Sequence, residues 1–274
     1  MLTWRFVTLK TNYSGIIGLM KHKAIIFDID GTAIDSPTQK VPSNRLISAV
    51  HNVEDDYFVC AATGRVWSFA EPVLKGLSLV DPCIISAGTQ ICDPRSGEII
   101  WQCEIEKVDL ALVLQIIQDY PENRVLYNDY NEDTYLNGGL NIANLQINES
   151  VYFFELIFVP EIIAPEIVAR LSAIEGIAVT LVVAHRKGFN DIHITNRNAT
   201  KEHAVGELLK MIRVNAADTI GVGDGHNDIH LFNAVNKKVA MVNAVKELKA
   251  NATEIIGTVK EDGFAEYLEA LDQK

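Results

Sequence analysis

An apolar run at residues 24–27 that leads into two aspartates, Asp28 and Asp30, constrains this chain more than any other feature. Short apolar runs that end at a turn residue are typical of buried strands, and Gly31 supplies the turn. Aspartate is a poor strand former, and an unpaired charge near a protein core is costly. In open α/β sheets, ligands bind beyond the carboxyl ends of the strands. The pattern therefore predicts a cation or ligand site at the end of a central strand.

Composition narrows the kinds of partner that this chain can have. The 274 residues suffice for one large domain or two ordinary ones, and 48% of them are hydrophobic, so a substantial core can form. The formal net charge is −12 and no dense basic run occurs, which argues against nucleic acid or an anionic membrane as the main partner. A small anionic substrate is still compatible, because local charge decides its binding.

Cysteine usage and hydrophobic patterning indicate a cytoplasmic protein. The four cysteines, at positions 60, 83, 92 and 103, form no CxxC pair, which favours reduced thiols over a zinc site or disulfides. The apolar run at 15–20 is far shorter than the ~20 residues of a transmembrane helix, so we expect no membrane span. Residues 1–19 precede the first predicted strand, and we expect them to form a dispensable N-terminal extension.

Strand and helix patterns alternate near both ends of the chain but not in its middle. This alternation predicts βαβ units, and therefore a parallel sheet with right-handed crossovers. The middle contains a predicted hairpin at 91–101, a polar stretch at 123–139 and two predicted helices, a mixture typical of an α+β module. We therefore predict an α/β core at 20–88 and 190–274, with an inserted α+β domain at 89–189.

Polar residues follow an apolar strand or open a helix at four places in the predicted core. These segments are Asp28 with Asp30, residues 63–65 (Thr-Gly-Arg), Lys201 and residues 223–228 (Gly-Asp-Gly-His-Asn-Asp). Each is a weak signal by itself, since a turn, a helix cap or a solvated lysine has the same appearance. Parallel sheets gather the carboxyl ends of their strands along one edge, so we expect the four segments to converge.

Taken in order, these segments resemble the four motifs of the haloacid dehalogenase superfamily. They read Phe-Asp-Ile-Asp-Gly-Thr at 27–32, Ala-Thr-Gly-Arg at 62–65, Lys201, and Gly-Asp-Gly-His-Asn-Asp at 223–228. The long insertion between the second and third motifs is similar to the type-2 cap of the Cof-type and sugar-phosphatase branches. The resemblance covers nearly the whole chain from residue 20. It implies a Rossmann-like catalytic core beneath a cap domain.

The resemblance also implies a Mg²⁺-dependent phosphatase that works through an aspartyl-phosphate. Asp28 resembles the nucleophile, and Asp30 resembles the general acid and base. The side chains of Asp28 and Asp224 and the carbonyl of Asp30 would bind Mg²⁺, which prefers oxygen ligands. Asp228 would either bind the metal, through water, or orient Lys201.

The remaining motif residues would bind the substrate, a small phosphorylated metabolite, with a sugar phosphate favoured. Thr63 and the backbone amides near Gly64 would hold phosphoryl oxygens, and Lys201 would neutralise charge that develops during transfer. Asn227 would contact the phosphate or metal-bound water. Arg65 would either contact substrate at the cap interface or lie on the surface as an ordinary residue at a helix start.

Other functions fit parts of the pattern. A phosphomutase would share the aspartyl-phosphate, and a non-catalytic phospho-ligand binder would share the site. A dinucleotide site is disfavoured, because residues 221–225 lack the full GxGxxG spacing. The following residues either contribute to the substrate site or face solvent: Asn128, Asp129, Asn131, Asp133, His185, Arg186 and His226. The sequence leaves the physiological substrate and the oligomeric state open.

Overall fold

A computed structural model of the chain describes residues 21–35, 41–129, 133–139, 143, 145–147, 150–184 and 186–273. It leaves out the side chains of Asn128, Asp129 and Asp133. The expected N-terminal extension at 1–19, and Asn131 and His185 of the candidate substrate site, lie outside the described residues.

A five-stranded parallel sheet forms the centre of the fold. Its strands are β1 (Lys23–Phe27), β2 (Tyr57–Ala61), β11 (Thr219–Gly223), β12 (Lys237–Met241) and β13 (Glu254–Ile256). They lie in the order β13-β12-β11-β1-β2, so the first strand of the chain is interior. The apolar residues of β1 are fully buried, as expected for a parallel strand that is covered on both faces. This position explains the continuous apolar run before Asp28.

Helices cover both faces of the parallel sheet. They are α1 (Asn44–Val53), α2 (Trp67–Gly76), α5 (Lys201–Ile212), α6 (Asp228–Ala234), α7 (Lys246–Asn251) and α8 (Gly263–Asp272). The side chain of Ser43 caps α1 by accepting a hydrogen bond from the amide of Leu46. Phe264 of α8 packs against Phe27, with ring centroids 5.1 Å apart. The α/β fold class is therefore confirmed for this part of the chain.

The predicted hairpin is present, but it packs with the core and not with the insertion. β3 (Cys83–Ile85), β4 (Gln90–Cys92) and β5 (Ile99–Gln102) form an antiparallel sheet. A parallel bridge between Ala62 and Ile84 joins this sheet to the end of β2. Buried residues of β3 and β4 share one hydrophobic cluster with the parallel sheet.

A second five-stranded sheet, antiparallel, forms the inserted module. Its strands are β6 (Arg124–Asp129), β7 (Asp133–Leu136), β8 (Val151–Pro160), β9 (Ile177–Val183) and β10 (Phe189–Asn196). They lie in the order β7-β6-β8-β10-β9, and α3 (Lys107–Ile117) and α4 (Ala164–Leu171) cover one face. On the other face, Leu126 and Phe153 pack against Val66 and Ala87 of the core. The module therefore lies over the end of the parallel sheet that carries the motifs.

Two sequence-based expectations differ from this arrangement. The polar stretch at 123–139, for which the pattern predicts no element, contains β6 and β7. The core is expected to resume at 190, but β10 pairs with β8 and β9, and Ile192 and Ile194 join the hydrophobic cluster of the module. The reason is that an apolar strand pattern does not indicate which sheet the strand joins. We propose that the inserted module extends over about 104–198. Within the described residues, no helix is both long enough and apolar enough to cross a membrane.

Candidate active site

Side chains from the four predicted segments meet at the carboxyl edge of the parallel sheet. Asp28 follows β1, Thr63 follows β2, and Asp224 follows β11. Lys201 begins α5, and its Nζ donates hydrogen bonds to Asp28 Oδ1 at 2.6 Å and to Asp228 Oδ1 at 2.7 Å. Asp28 and Lys201, which are 173 positions apart, are thus in direct contact, as the topology of a parallel sheet predicts.

Lys201 stays charged although it is 3% exposed. Burial alone would lower the pKa of its ammonium, but the neighbouring carboxylates of Asp228 and Asp28 outweigh burial and raise the pKa above its ordinary value. A buried, fixed positive charge is therefore held against the carboxylate of Asp28.

Asp228 organises the loop that carries Asp224. Its Oδ2 accepts hydrogen bonds from the backbone amides of Asp224 at 3.0 Å and Gly225 at 2.9 Å, while Oδ1 accepts from Lys201. Asp228 is completely buried. Asp228 therefore contacts Lys201 directly, and its two predicted roles, a metal ligand through water or a residue that orients Lys201, stay predictions.

Three carboxylates form a cluster whose chemistry suits a hard divalent cation. Asp28, Asp224 and Asp228 each offer one oxygen, and these oxygens lie within 4.8 Å of one another. Burial, followed by the charge of Asp228, raises the pKa of Asp224 to about 7, and the same two causes raise the pKa of Asp28 well above its usual range. Among the described residues, one ammonium faces these three acids. Oxygen-only ligands and excess negative charge are the conditions that favour Mg²⁺.

Gly31 permits the close approach of two of the motif segments. Its φ is +79°, and a Cβ at this position would overlap the carboxylate of Asp224. The hydroxyl of Thr32 donates to Asp224 Oδ1 at 3.1 Å, and Asn243 Nδ2 donates to the Gly31 carbonyl at 2.8 Å. Asn243 is missing from the predicted site. The available signal is its position just after the apolar strand β12, at the same sheet edge as the motifs.

Arg65 contacts Asp30, the predicted acid and base. Its Nε donates to Asp30 Oδ2 at 2.8 Å and its Nη2 donates to Oδ1 at 2.6 Å. A third hydrogen bond, from Nη1 to the carbonyl of Phe69 at 3.0 Å, braces the guanidinium. The sequence predicts either a substrate contact or a surface position for Arg65, and neither prediction includes its contact with Asp30.

The inserted module supplies a roof over the Thr63-Gly64 turn. Thr63 is completely buried, and its hydroxyl accepts the amide of Arg65 at 3.1 Å. A Cβ on Gly64 would lie 3.0 Å from Cε1 of His193, a residue of β10. Sequence reasoning assigns His193 no role, because nothing in its local pattern links it to the motifs.

A small cavity separates this roof from the core. It is lined by Ala87, Lys201 and Asn227 of the core and by Thr180, His193 and Thr195 of the inserted sheet, among others. The predicted substrate residue Asn227 thus lies beside Lys201. His226 is exposed near Glu247, at 3.5 Å, and Arg186 stacks on Phe189 at 4.4 Å, so the contacts of both lie away from the cavity lining.

Comparison with known proteins identifies the family. The model of the haloacid dehalogenase-like hydrolases matches residues 25–174 and 166–268. The chain belongs to the haloacid dehalogenase-like hydrolases. This membership confirms the family that the four motifs resemble.

Related haloacid dehalogenase-like hydrolases are similar along most of their length. A phosphoglycolate phosphatase of Archaeoglobus fulgidus is 26% identical, with 92% of this chain and 98% of that protein covered. A 5-amino-6-(5-phospho-D-ribitylamino)uracil phosphatase of Bacillus subtilis is 23% identical, with 89% and 95% covered. The solved structure of a subclass IIB sugar phosphatase matches with a TM-score of 0.73 at 19% identity, over 91% of this chain and 98% of that one. The names of the relatives agree with the expected class of enzyme, a phosphoric monoester hydrolase.

Proposed function

We propose that this protein is a Mg²⁺-dependent phosphatase that hydrolyses a small organic phosphomonoester, with a sugar phosphate favoured, through an aspartyl-phosphate on Asp28. The contact between Lys201 and Asp28, at 2.6 Å and almost fully buried, carries the proposal. It places an ammonium, which can balance the charge of a phosphoryl group, beside a carboxylate that can attack phosphorus.

In the first step, an oxygen of Asp28 attacks phosphorus and the bond from phosphorus to the leaving oxygen breaks. Protonated Asp30 gives its proton to that oxygen, so the alcohol leaves neutral. The guanidinium of Arg65 then stabilises the Asp30 carboxylate through the two hydrogen bonds described above. Lys201, the Thr63 hydroxyl and the backbone amide of Gly64 stabilise the charge on the other phosphoryl oxygens.

In the second step, the Asp30 carboxylate takes a proton from a water molecule, which attacks the phosphorus of the aspartyl-phosphate. The bond between phosphorus and Asp28 breaks, inorganic phosphate leaves, and Asp30 is protonated again. Mg²⁺ would be held by the side chains of Asp28 and Asp224 and the carbonyl of Asp30, with Asp228 as a further ligand through water. Bound there, it would offset the negative charge of the carboxylates and the phosphate. The roof formed by the inserted module limits the access of bulk water.

Phosphate release from a panel of phosphorylated metabolites tests this proposal. The panel should include sugar phosphates, 2-phosphoglycolate and p-nitrophenyl phosphate, with and without Mg²⁺, and Asp28→Asn as the control. We expect Mg²⁺-dependent release that Asp28→Asn abolishes while the circular dichroism spectrum is retained. Formation of an isomeric phosphate ester without free phosphate would indicate a phosphomutase. Release that is equal in Asp28→Asn would refute the proposed nucleophile.

A further inference from the structure

A row of polar residues crosses the face of the inserted sheet that looks toward the site. Glu155 on β8, His193 on β10 and Thr180 on β9 lie opposite one another in register. Successive residues of a strand point to opposite faces, and the neighbours Phe154 and Ile192 belong to the hydrophobic cluster beneath α3 and α4. The row therefore points away from that cluster and toward the core.

A hydrogen bond to Glu155 orients the imidazole ring of His193. Nε2 of His193 lies 3.0 Å from Glu155 Oε1. An ionised carboxylate only accepts hydrogen bonds, so Nε2 carries the hydrogen and, in the neutral ring, Nδ1 presents a lone pair. The ring of Phe153 packs edge-on against the imidazole, with centroids 5.1 Å apart. The side chain of His193, which is 10% exposed, is thus held by two neighbours.

The Nδ1 side of the ring faces the turn that we expect to bind the phosphoryl group. A Cβ on Gly64 would lie 3.0 Å from Cε1 and 3.7 Å from Nδ1. Among the described residues, none hydrogen-bonds to Nδ1. His193 lines the same cavity as Lys201, Thr180 and Thr195. An acceptor without a hydrogen-bond partner among the described residues therefore lies at the cavity that Lys201 also lines.

We propose that His193, oriented by Glu155, binds a hydroxyl group of the leaving group, so that the enzyme selects phosphorylated polyols and sugars over phosphorylated carboxylic acids. This inference rests on the proposed phosphatase function and adds the residues that select the leaving group. In the neutral ring, the lone pair on Nδ1 accepts an O–H group but repels a carboxylate oxygen, and the negative charge of an ionised Glu155 adds to that repulsion. The hydroxyls of Thr180 and Thr195 offer further hydrogen bonds to a polyol.

Matched substrates test the inference in the full chain. Erythritol 4-phosphate and butyl phosphate share one carbon chain, with and without hydroxyl groups, while 2-phosphoglycolate carries a carboxylate. We expect kcat/KM to be highest for erythritol 4-phosphate, and His193→Ala to reduce its advantage over butyl phosphate about tenfold, as for the loss of one hydrogen bond. His193→Gln should show the same loss and serves if the alanine variant does not fold.

Variants of Glu155 separate positioning from simple structural support. Glu155→Gln keeps an oxygen that accepts from Nε2 and should keep most of the preference. Glu155→Ala should lose the preference mainly through a higher KM for the hydroxylated substrate. His51→Ala is the matched control, because His51 forms a similar pair with Glu54, at 2.7 Å, on an exposed part of α1.

The outcomes distinguish this inference from the proposed function. If the wild-type enzyme hydrolyses p-nitrophenyl phosphate through Asp28 but does not prefer erythritol 4-phosphate, the inference is wrong and the phosphatase proposal stands. Equal losses for all substrates in His193→Ala would also overturn it. If the wild-type protein hydrolyses none of the phosphomonoesters, both proposals fail.

Discussion

The guanidinium of Arg65 holds the carboxylate of Asp30 through two hydrogen bonds, of 2.8 and 2.6 Å. The arginine side chain is 8% exposed and that of Asp30 is 34% exposed, so the protein fixes the arginine while the carboxylate stays accessible. Arginine binds a carboxylate in a planar, two-bonded geometry that lysine does not reproduce. Arg65 therefore orients the proposed acid and base.

Loss of Arg65 should slow hydrolysis most when the leaving group needs a proton. We expect Arg65→Ala to lower kcat/KM for an alkyl phosphate by about 10–100-fold, which is no more than the lower end of the roughly 10²–10⁴-fold of general acid catalysis, because Asp30 itself is retained. The loss for p-nitrophenyl phosphate should be smaller, because its leaving group departs as a stable anion. Steady-state kinetics with both substrates measures the difference.

Arg95 is the control for Arg65, because it also binds an aspartate through two hydrogen bonds. Arg95 donates to Asp93 at 3.1 and 2.6 Å in an exposed hairpin turn, so Arg95→Ala should leave both rates unchanged. Losses in Arg65→Ala that are equal for the two leaving groups would contradict a role in orienting Asp30.

Replacement of Lys201 should reduce stability as well as activity. Lys201→Met leaves the buried acids Asp28 and Asp228 without their cation, and breaking such a pair typically costs about 3–5 kcal/mol of unfolding free energy. Urea denaturation without added metal measures this change. Lys210→Met on the same helix is the control, since Lys210 pairs with Glu207 at 2.6 Å in an exposed position. Similar unfolding free energies for the two variants would argue against the buried ion pairs.

Substitution of Gly31 should weaken Mg²⁺ binding at the proposed metal site by more than the added backbone strain accounts for. Gly31→Ala adds a methyl group that displaces the carboxylate of Asp224, so the increase in Tm on addition of Mg²⁺ should disappear. Gly188→Ala is matched for strain, because φ is +84° at Gly188 and +79° at Gly31, but a Cβ at 188 meets no atom within 4 Å. Thermal unfolding with and without Mg²⁺ compares them. A Mg²⁺ effect that survives in Gly31→Ala would count against Asp224 as a ligand.

The convergence of the motif residues could be predicted from the sequence because it depends on topology alone. Asp28, Thr63 and Asp224 each follow an apolar run, and parallel strands bring their carboxyl ends to one edge wherever they occur in the chain. Lys201 could be added because it begins the next helix of the core. None of these inferences requires the position of any loop.

The roof of the site could not be predicted in the same way. The strand of His193 has the apolar pattern of a core strand, and only its pairing with β8 and β9 assigns it to the inserted sheet. The pairing of His193 with Glu155 spans 38 positions, and that of Arg65 with Asp30 spans 35. Such contacts follow from register and tertiary packing, about which local periodicity carries no information.

Trapping of the phosphoenzyme tests whether Asp28 is the nucleophile. Asp30→Asn should still permit attack by Asp28 on p-nitrophenyl phosphate, but it slows the attack of water, so the aspartyl-phosphate should accumulate. Acid quenching, borohydride reduction and peptide mass spectrometry then locate the modified residue. We expect one phosphoryl group per chain, with reduction of Asp28 to homoserine and no modification in a protein that also carries Asp28→Asn. Absence of a phosphoenzyme during turnover, or a phosphoryl group on a residue other than Asp28, would rule out Asp28 as the nucleophile.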